Sequence, residues 1–137
     1  MREHQLPIDP FRAIAATSLL AAAIAHVPVT PEHLKEAPYM GVAFIAFSVA
    51  ATLLAVAVAA TDRPLLYGAT MGLCAAAIFV YAMTRMVAFP QLSDDVGNWS
   101  ETLGVISVAT EMIALVASGL AIVARQRPIF AGSLAGA

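Results

Sequence analysis

Charge is the scarce quantity in this chain. Only 12% of its 137 residues are Asp, Glu, Lys or Arg, about half the roughly 25% found in soluble domains. The hydrophobic share is 61%, above the usual range of about 45 to 50%, and that composition suits lipid better than water. Basic clusters are missing too. Seven Lys and Arg against nine Asp and Glu leave a formal net charge of -2, with no basic patch to follow phosphates, so nucleic acid is set aside as a partner. Cysteine occurs once, as Cys74 inside an apolar run; this rules out an intramolecular disulfide and a cysteine-based zinc site, and leaves a small packing residue. Catalytic signatures are also lacking. The chain carries no nucleophile beside a base, no phosphate-cradling glycine loop and no metal-hydrolase motif, which points away from an enzyme.

What is present is four apolar, alanine-rich segments, at about 11–27, 39–60, 65–89 and 102–124. Each approaches the roughly 20 residues that an α-helix needs to cross a hydrocarbon core. None has the polar face of a soluble helix, and backbone groups in lipid must be satisfied within the segment, so helices are expected. The expected fold is all-α: one domain over 1–137, an integral membrane four-helix bundle with both termini cytoplasmic. The first segment also has the length of a signal-peptide core, and "AAAIAHV" has small residues at cleavage-like spacing. A retained helix is the better expectation, because Glu3 and Asp9 offset Arg2 and Arg12 and make a poor positive leader.

Orientation follows from lysine and arginine in the short loops. Arg2 and Arg12 precede the first segment, Arg63 lies in "TDRP" between the second and third, and Arg125 and Arg127 follow the fourth. These three places share one side, expected to be the cytoplasmic one. The loop "HVPVTPEHLKEAPYMG" and the loop "PQLSDDVGNWSE" then face outward, with Tyr39 and Trp99 as interfacial anchors. Within the first loop, Thr30, Pro31 and Glu32 give an N-cap, a first-turn proline and an early acid, the start of a short external interfacial helix. Asn98 or Ser100 is placed to cap the fourth helix, which explains "NWS" more simply than glycosylation.

Two ionisable residues lie inside apolar segments, Arg85 and Glu111, and such groups cost at least roughly 2.5 kcal/mol near the bilayer centre. At about 1.5 Å of rise per residue, Glu111 lies roughly 15 Å from the external end of its helix and Arg85 only about 6 Å from the end of its own. Arg85 can reach the interface; Glu111 cannot. Gly104, Ser107, Glu111, Ala114 and Ser118 recur at helical spacing, and Cys74, Ala77, Tyr81 and Arg85 form a matching stripe on the third helix. A polar layer with Tyr81, Ser48, Thr52, Thr17 and Ser18 is expected at about the level of Glu111. Glu111 is expected to pair with Tyr81 or Arg85, or to serve as a relay or ligand anchor, while Asp94 and Asp95 are the natural partners of Arg85.

The external loops offer a second chemistry. Imidazole and carboxylate suit a divalent metal, and His26, His33, Glu36, Asp94 and Asp95 are the available ligands, although no dense ligand motif joins them. A bis-histidine haem is disfavoured, since no second histidine accompanies His26 within the four segments. Gly68 and Gly72 form a G-x-x-x-G that Ala76 extends, a ridge suited to close helix contact. We expect that contact within the chain; a partner protein or a second copy is the alternative.

The stretches "HVPVTPEHLKEAPYMGVAF", "YAMTRMVAFP" and "DDVGNWSETLG", together with the glutamate of the fourth helix, resemble a group of uncharacterised small bacterial membrane proteins with four transmembrane helices. The resemblance implies the topology and a bacterial cytoplasmic membrane, and carries no activity. On residues alone, a non-catalytic accessory subunit of a membrane complex comes first. A small transporter or ligand-binding bundle using Glu111, Tyr81, Arg85 and Ser107 comes second, and an external metal-binding protein third.

Overall fold

Proline stands in the first two positions of four helices, where its missing N–H would have no intrahelical partner in any case. The computed structural model describes residues 9–126. They form α1 (Pro10–His26), α2 (Thr30–Glu36), α3 (Pro38–Ala60), α4 (Pro64–Met86) and α5 (Thr102–Gln126), with a 3₁₀ turn at Ser93–Asp95. Arg2, Arg127 and the C-terminal small-residue tail lie outside the described residues. The regular elements of the described residues are all helical, as expected. α3, α4 and α5 are each long and apolar enough to cross a membrane, whereas α1 meets that measure only together with α2, from which it is bent by 47°. Pro28 marks the bend: it has no N–H to offer the Ile24 carbonyl, which accepts instead from Val27 at 3.1 Å.

Small residues face inward and large ones outward. Ala15, Ala22, Ala51, Ala114 and Ala121 are fully buried, while Leu53, Val56, Leu65 and Phe79 are each well exposed. In lipid, where burying an apolar side chain against another helix gains little over burying it in acyl chains, close backbone approach through alanine is what joins helices. α1 packs most extensively on α5 and next on α3, and α4 packs on α5. α3 and α4, although joined by only a three-residue turn, meet far less closely, and a gap opens between them toward the α2 end.

Polar contacts tie each end. At one end, Arg12 donates to the carbonyls of Val58, at 2.9 Å, and of Ala59. Arg125 pairs with Asp62, which also accepts from the Tyr67 hydroxyl at 2.8 Å. The described portions of the chain that carry Arg12, Arg63 and Arg125 therefore gather at one end, as the loop charges suggested. At the other, Tyr39 donates to the Pro90 carbonyl at 2.7 Å, and α2 folds back on α3.

Several local expectations need correction. α4 stops at Met86 rather than Phe89; Pro90 disfavours helical backbone in the residue before it, and Gln91 (φ 64°) and Gly97 (φ 80°) then reverse the chain. The Gly97 N–H closes the helix end by donating to the Arg85 carbonyl at 2.9 Å. Thr30 does not cap α2: its hydroxyl donates backward to the His26 carbonyl at 2.7 Å and satisfies the end of α1. Neither Asn98 nor Ser100 caps α5, because the Glu101 carboxylate takes the N–H groups of Leu103 and Gly104 at 2.9 and 2.6 Å. The ridge of Gly68, Gly72 and Ala76 is exposed, and no atom lies within 4 Å of a Cβ built on either glycine. The buried face of α4 runs instead through Tyr67, Thr70 and Cys74, with Tyr67 clustered with Ala117 and Ala121 of α5 and Cys74 with Ala114.

Candidate functional site

Helical spacing brings the polar stripe of α5 inward: Ser107, Glu111, Ala114 and Ser118 are all buried. Glu111 is only 2% exposed. Its Oε1 accepts from the Ser107 hydroxyl at 2.9 Å, one turn earlier on the same helix, and His26 Nε2 of α1 lies 4.0 Å from that oxygen. The His26 Nδ1–H donates to the Ala22 carbonyl at 2.9 Å, with the Ser107 oxygen 3.3 Å away. That donation places a proton on Nδ1; Nε2, the nitrogen facing Glu111, accepts in a neutral ring and donates in a protonated one. Phe44 and Phe47 of α3 pack on the His26 ring at centroid distances of 5.0 and 4.5 Å.

These are not the partners the sequence suggested for Glu111. Arg85 is drawn to the end of α4, where it pairs with Asp95 at 2.8 Å and lies 4.7 Å over the Tyr81 ring. Tyr81 donates to the Trp99 carbonyl at 3.2 Å. Both α4 residues are held by the connection to α5, above the level of Glu111. The pairing of Arg85 with a loop aspartate is as anticipated. The connected polar layer is not: Thr17 and Thr52 donate to their own helices, to Ala13 and Ser48 carbonyls, and Ser48 alone crosses, to the Ala23 carbonyl at 3.3 Å. Hydroxyls four residues past a free carbonyl lone pair satisfy themselves locally.

His26, His33, Glu36, Asp94 and Asp95 surround one cavity, yet among the described residues no three His, Cys, Asp or Glu side chains are grouped to hold a metal ion. Their hydrogen bonds lead elsewhere. His33 Nδ1 is bonded to the Val29 carbonyl at 2.9 Å, Asp95 serves Arg85, and Asp94 accepts from Ser93 at 3.3 Å.

The cavity itself occupies about 960 Å³, at the upper end of the roughly 300 to 1,000 Å³ of small-molecule sites. Its floor is His26, Ser107 and Glu111; its sides are Phe44 and Phe47 on α3 and Ala77 and Tyr81 on α4; α2 and the loop acids form its mouth. Ala43, Ala46 and Val80, exposed on α3 and α4, also border it, so it opens sideways between those helices as well as at the end. Sequence reasoning missed His26 as the neighbour of Glu111. The signal was there in the continuation of the buried α1 face, Leu19, Ala22, Ala23 and His26, at helical spacing. No family model, curated protein or solved structure matches the chain, and the geometry alone carries the functional argument.

Proposed function

We infer that this is a small multi-pass membrane protein that binds an amphipathic small molecule between its helices, as a carrier or receptor rather than an enzyme. The observation that carries this reading is the cavity of about 960 Å³ reaching a buried carboxyl group. An intramembrane ionisable residue marks a ligand or ion path by default, and a filled, dry centre would have favoured a purely structural role. Of the functions drawn from the sequence, the ligand-binding bundle therefore moves ahead of the accessory subunit, and Glu111, Ser107, Tyr81 and Arg85 are its site residues.

The reading includes the topology. α1, α3, α4 and α5 cross a bacterial cytoplasmic membrane as a four-helix bundle, α2 lies at the external interface, and both termini are cytoplasmic. α1 has 17 residues and, at about 1.5 Å per residue, is roughly 25 Å long. That falls a few ångströms short of an average core of about 30 Å, a mismatch that local thinning absorbs at modest cost.

Native mass spectrometry of the full chain, extracted in mild detergent, tests the function. A bound small molecule at one per chain is expected, and its loss in Ala46→Phe and Ala77→Phe, which fill the cavity. A stoichiometric protein partner with no small molecule would return the accessory-subunit reading to first place.

A further inference from the structure

The chemical class of the occupant is legible in the charges around the cavity. Glu32, Glu36, Asp94, Asp95, Glu101 and Glu111 line it, against the single guanidinium of Arg85. The charge of Arg85 is balanced by Asp95 at 2.8 Å and the Tyr81 ring lies under it, while its Nε has no hydrogen-bond partner among the described residues. Glu101 is committed to the first N–H groups of α5. Of the other acids, Glu32, Glu36 and Asp94 stand at the mouth and the Glu111 carboxyl on the floor, with the imidazoles of His33 and His26 beside them and His26 Nε2 4.0 Å from Glu111 Oε1. An anion entering would meet like charge at the mouth, and low-dielectric walls strengthen that repulsion.

Glu111 supplies the independent observation that the mouth alone would not. It is 98% buried by residue, being 2% exposed, and it borders the cavity. Ser107 and His26 both approach Oε1; among the described residues no hydrogen bond reaches Oε2. The remaining walls are aromatic and small: Phe44 and Phe47 present rings beside the floor, and alanines from α3 and α4 give an apolar path to the lipid. Ring faces attract cations, most strongly away from water. An acidic mouth, a buried carboxyl group, aromatic rings that already pack on the His26 and His33 imidazoles and a lateral apolar opening together suit a guest that is lipophilic and positively charged.

We propose that the cavity binds a lipophilic organic cation, its charged centre between Glu111 and the Phe44 and Phe47 rings and its apolar substituents toward the gap between α3 and α4. The proposal rests on the ligand-binding reading above and narrows it to one class of ligand. The acidic mouth raises the local concentration of the cation, and Glu111 holds it.

The test uses the full-length protein in phosphatidylcholine nanodiscs, which carry no net surface charge, with binding counted above empty discs by equilibrium dialysis. Tetraphenylphosphonium is the cation, and tetraphenylborate has the same shape with opposite charge. Saturable binding of the phosphonium at one per chain is expected, at least tenfold tighter than any saturable binding of the borate. Glu111→Gln is expected to weaken phosphonium binding at least tenfold. Should Glu111→Gln fail to give a monodisperse helical protein, the exposed pair Glu32→Gln with Glu36→Gln decides: about threefold weaker phosphonium binding at low salt, the difference vanishing at high salt. Equal or tighter saturable binding of the borate overturns the proposal, as does unaltered phosphonium affinity in folded Glu111→Gln, or in the double variant if that one decides. A neutral or anionic amphiphile found bound by mass spectrometry overturns the cation while leaving the ligand cavity standing. Absence of both phosphonium binding and any co-purified small molecule removes the two together.

Discussion

Arg85 and Asp95 form a pair whose members differ in what their loss leaves behind. Arg85 is 7% exposed and the Asp95 side chain 25% exposed, so Asp95→Asn strands a buried guanidinium whereas Arg85→Gln strands a carboxylate that water can reach. Removing one member of a buried pair costs roughly 3 to 5 kcal/mol, and a partly exposed one considerably less. In unfolding by detergent titration, Asp95→Asn is expected to destabilise by about 3 kcal/mol and Arg85→Gln by about 1 kcal/mol; equal losses would contradict the difference in burial. Ser107 acts on the floor of the cavity. Ser107→Ala takes from Glu111 its 2.9 Å hydrogen bond and should cost about 1 to 3 kcal/mol in the same titration, the usual effect of an unsatisfied buried polar group. An unchanged midpoint would mean that Glu111 draws no support from Ser107. Glu111 and Arg85 were conspicuous in the sequence because a charge inside an apolar run is expensive wherever it ends up. Their partners were not, since spacing along one helix specifies the face a residue takes and says nothing of which helix lies opposite.

At the scale of elements, the glycines separate two kinds of helix surface. Gly41, near the start of α3, lets α2 lie against it: a Cβ there would come within 2.7 Å of the Leu34 backbone nitrogen and 2.8 Å of its Cα. Backbone cannot rotate away as a side-chain tip does, and overpacking of this kind costs roughly 1 to 3 kcal/mol. Gly41→Ala should lower the thermal midpoint and loosen α2, raising protease cleavage between Thr30 and Glu36; a midpoint equal to wild type would show that α2 does not rest on α3. Gly68 and Gly72 have open space beside them. Alanine there meets nothing in the chain and improves helix propensity by up to about 1 kcal/mol per site, so the double variant should keep or raise the midpoint. A clear fall would reveal a neighbouring chain packed on the ridge. Helix starts were legible in the sequence because proline at Pro10, Pro38 and Pro64 sits where a helix begins. The end of α4 and the caps of α2 and α5 were not, because the N–H and carbonyl groups they satisfy belong to turns whose course tertiary packing decides.

For the whole molecule, the relation between cavity and membrane sides would determine which compartment supplies a ligand of the proposed kind. The mouth lies at the α2 end, and the arginine-bearing turn between α3 and α4 lies at the other. Positive residues in short loops hold to the cytoplasmic side, so the acidic mouth should face outward. Cysteine labelling with a membrane-impermeant maleimide checks this without knowledge of the ligand, because the native Cys74 is 0% exposed and serves as a silent internal control. Glu36→Cys is expected to label in intact cells and Arg63→Cys only after permeabilisation, with Cys74 unreactive in both until the protein is denatured. The inverse pattern would turn the mouth, and any ligand path through it, toward the cytoplasm. Labelling of both positions from the same side would mean that α3 does not cross. In that case Glu111 would lie under a water-facing groove and would lose the low-dielectric surroundings that strengthen electrostatic contacts in the proposed site.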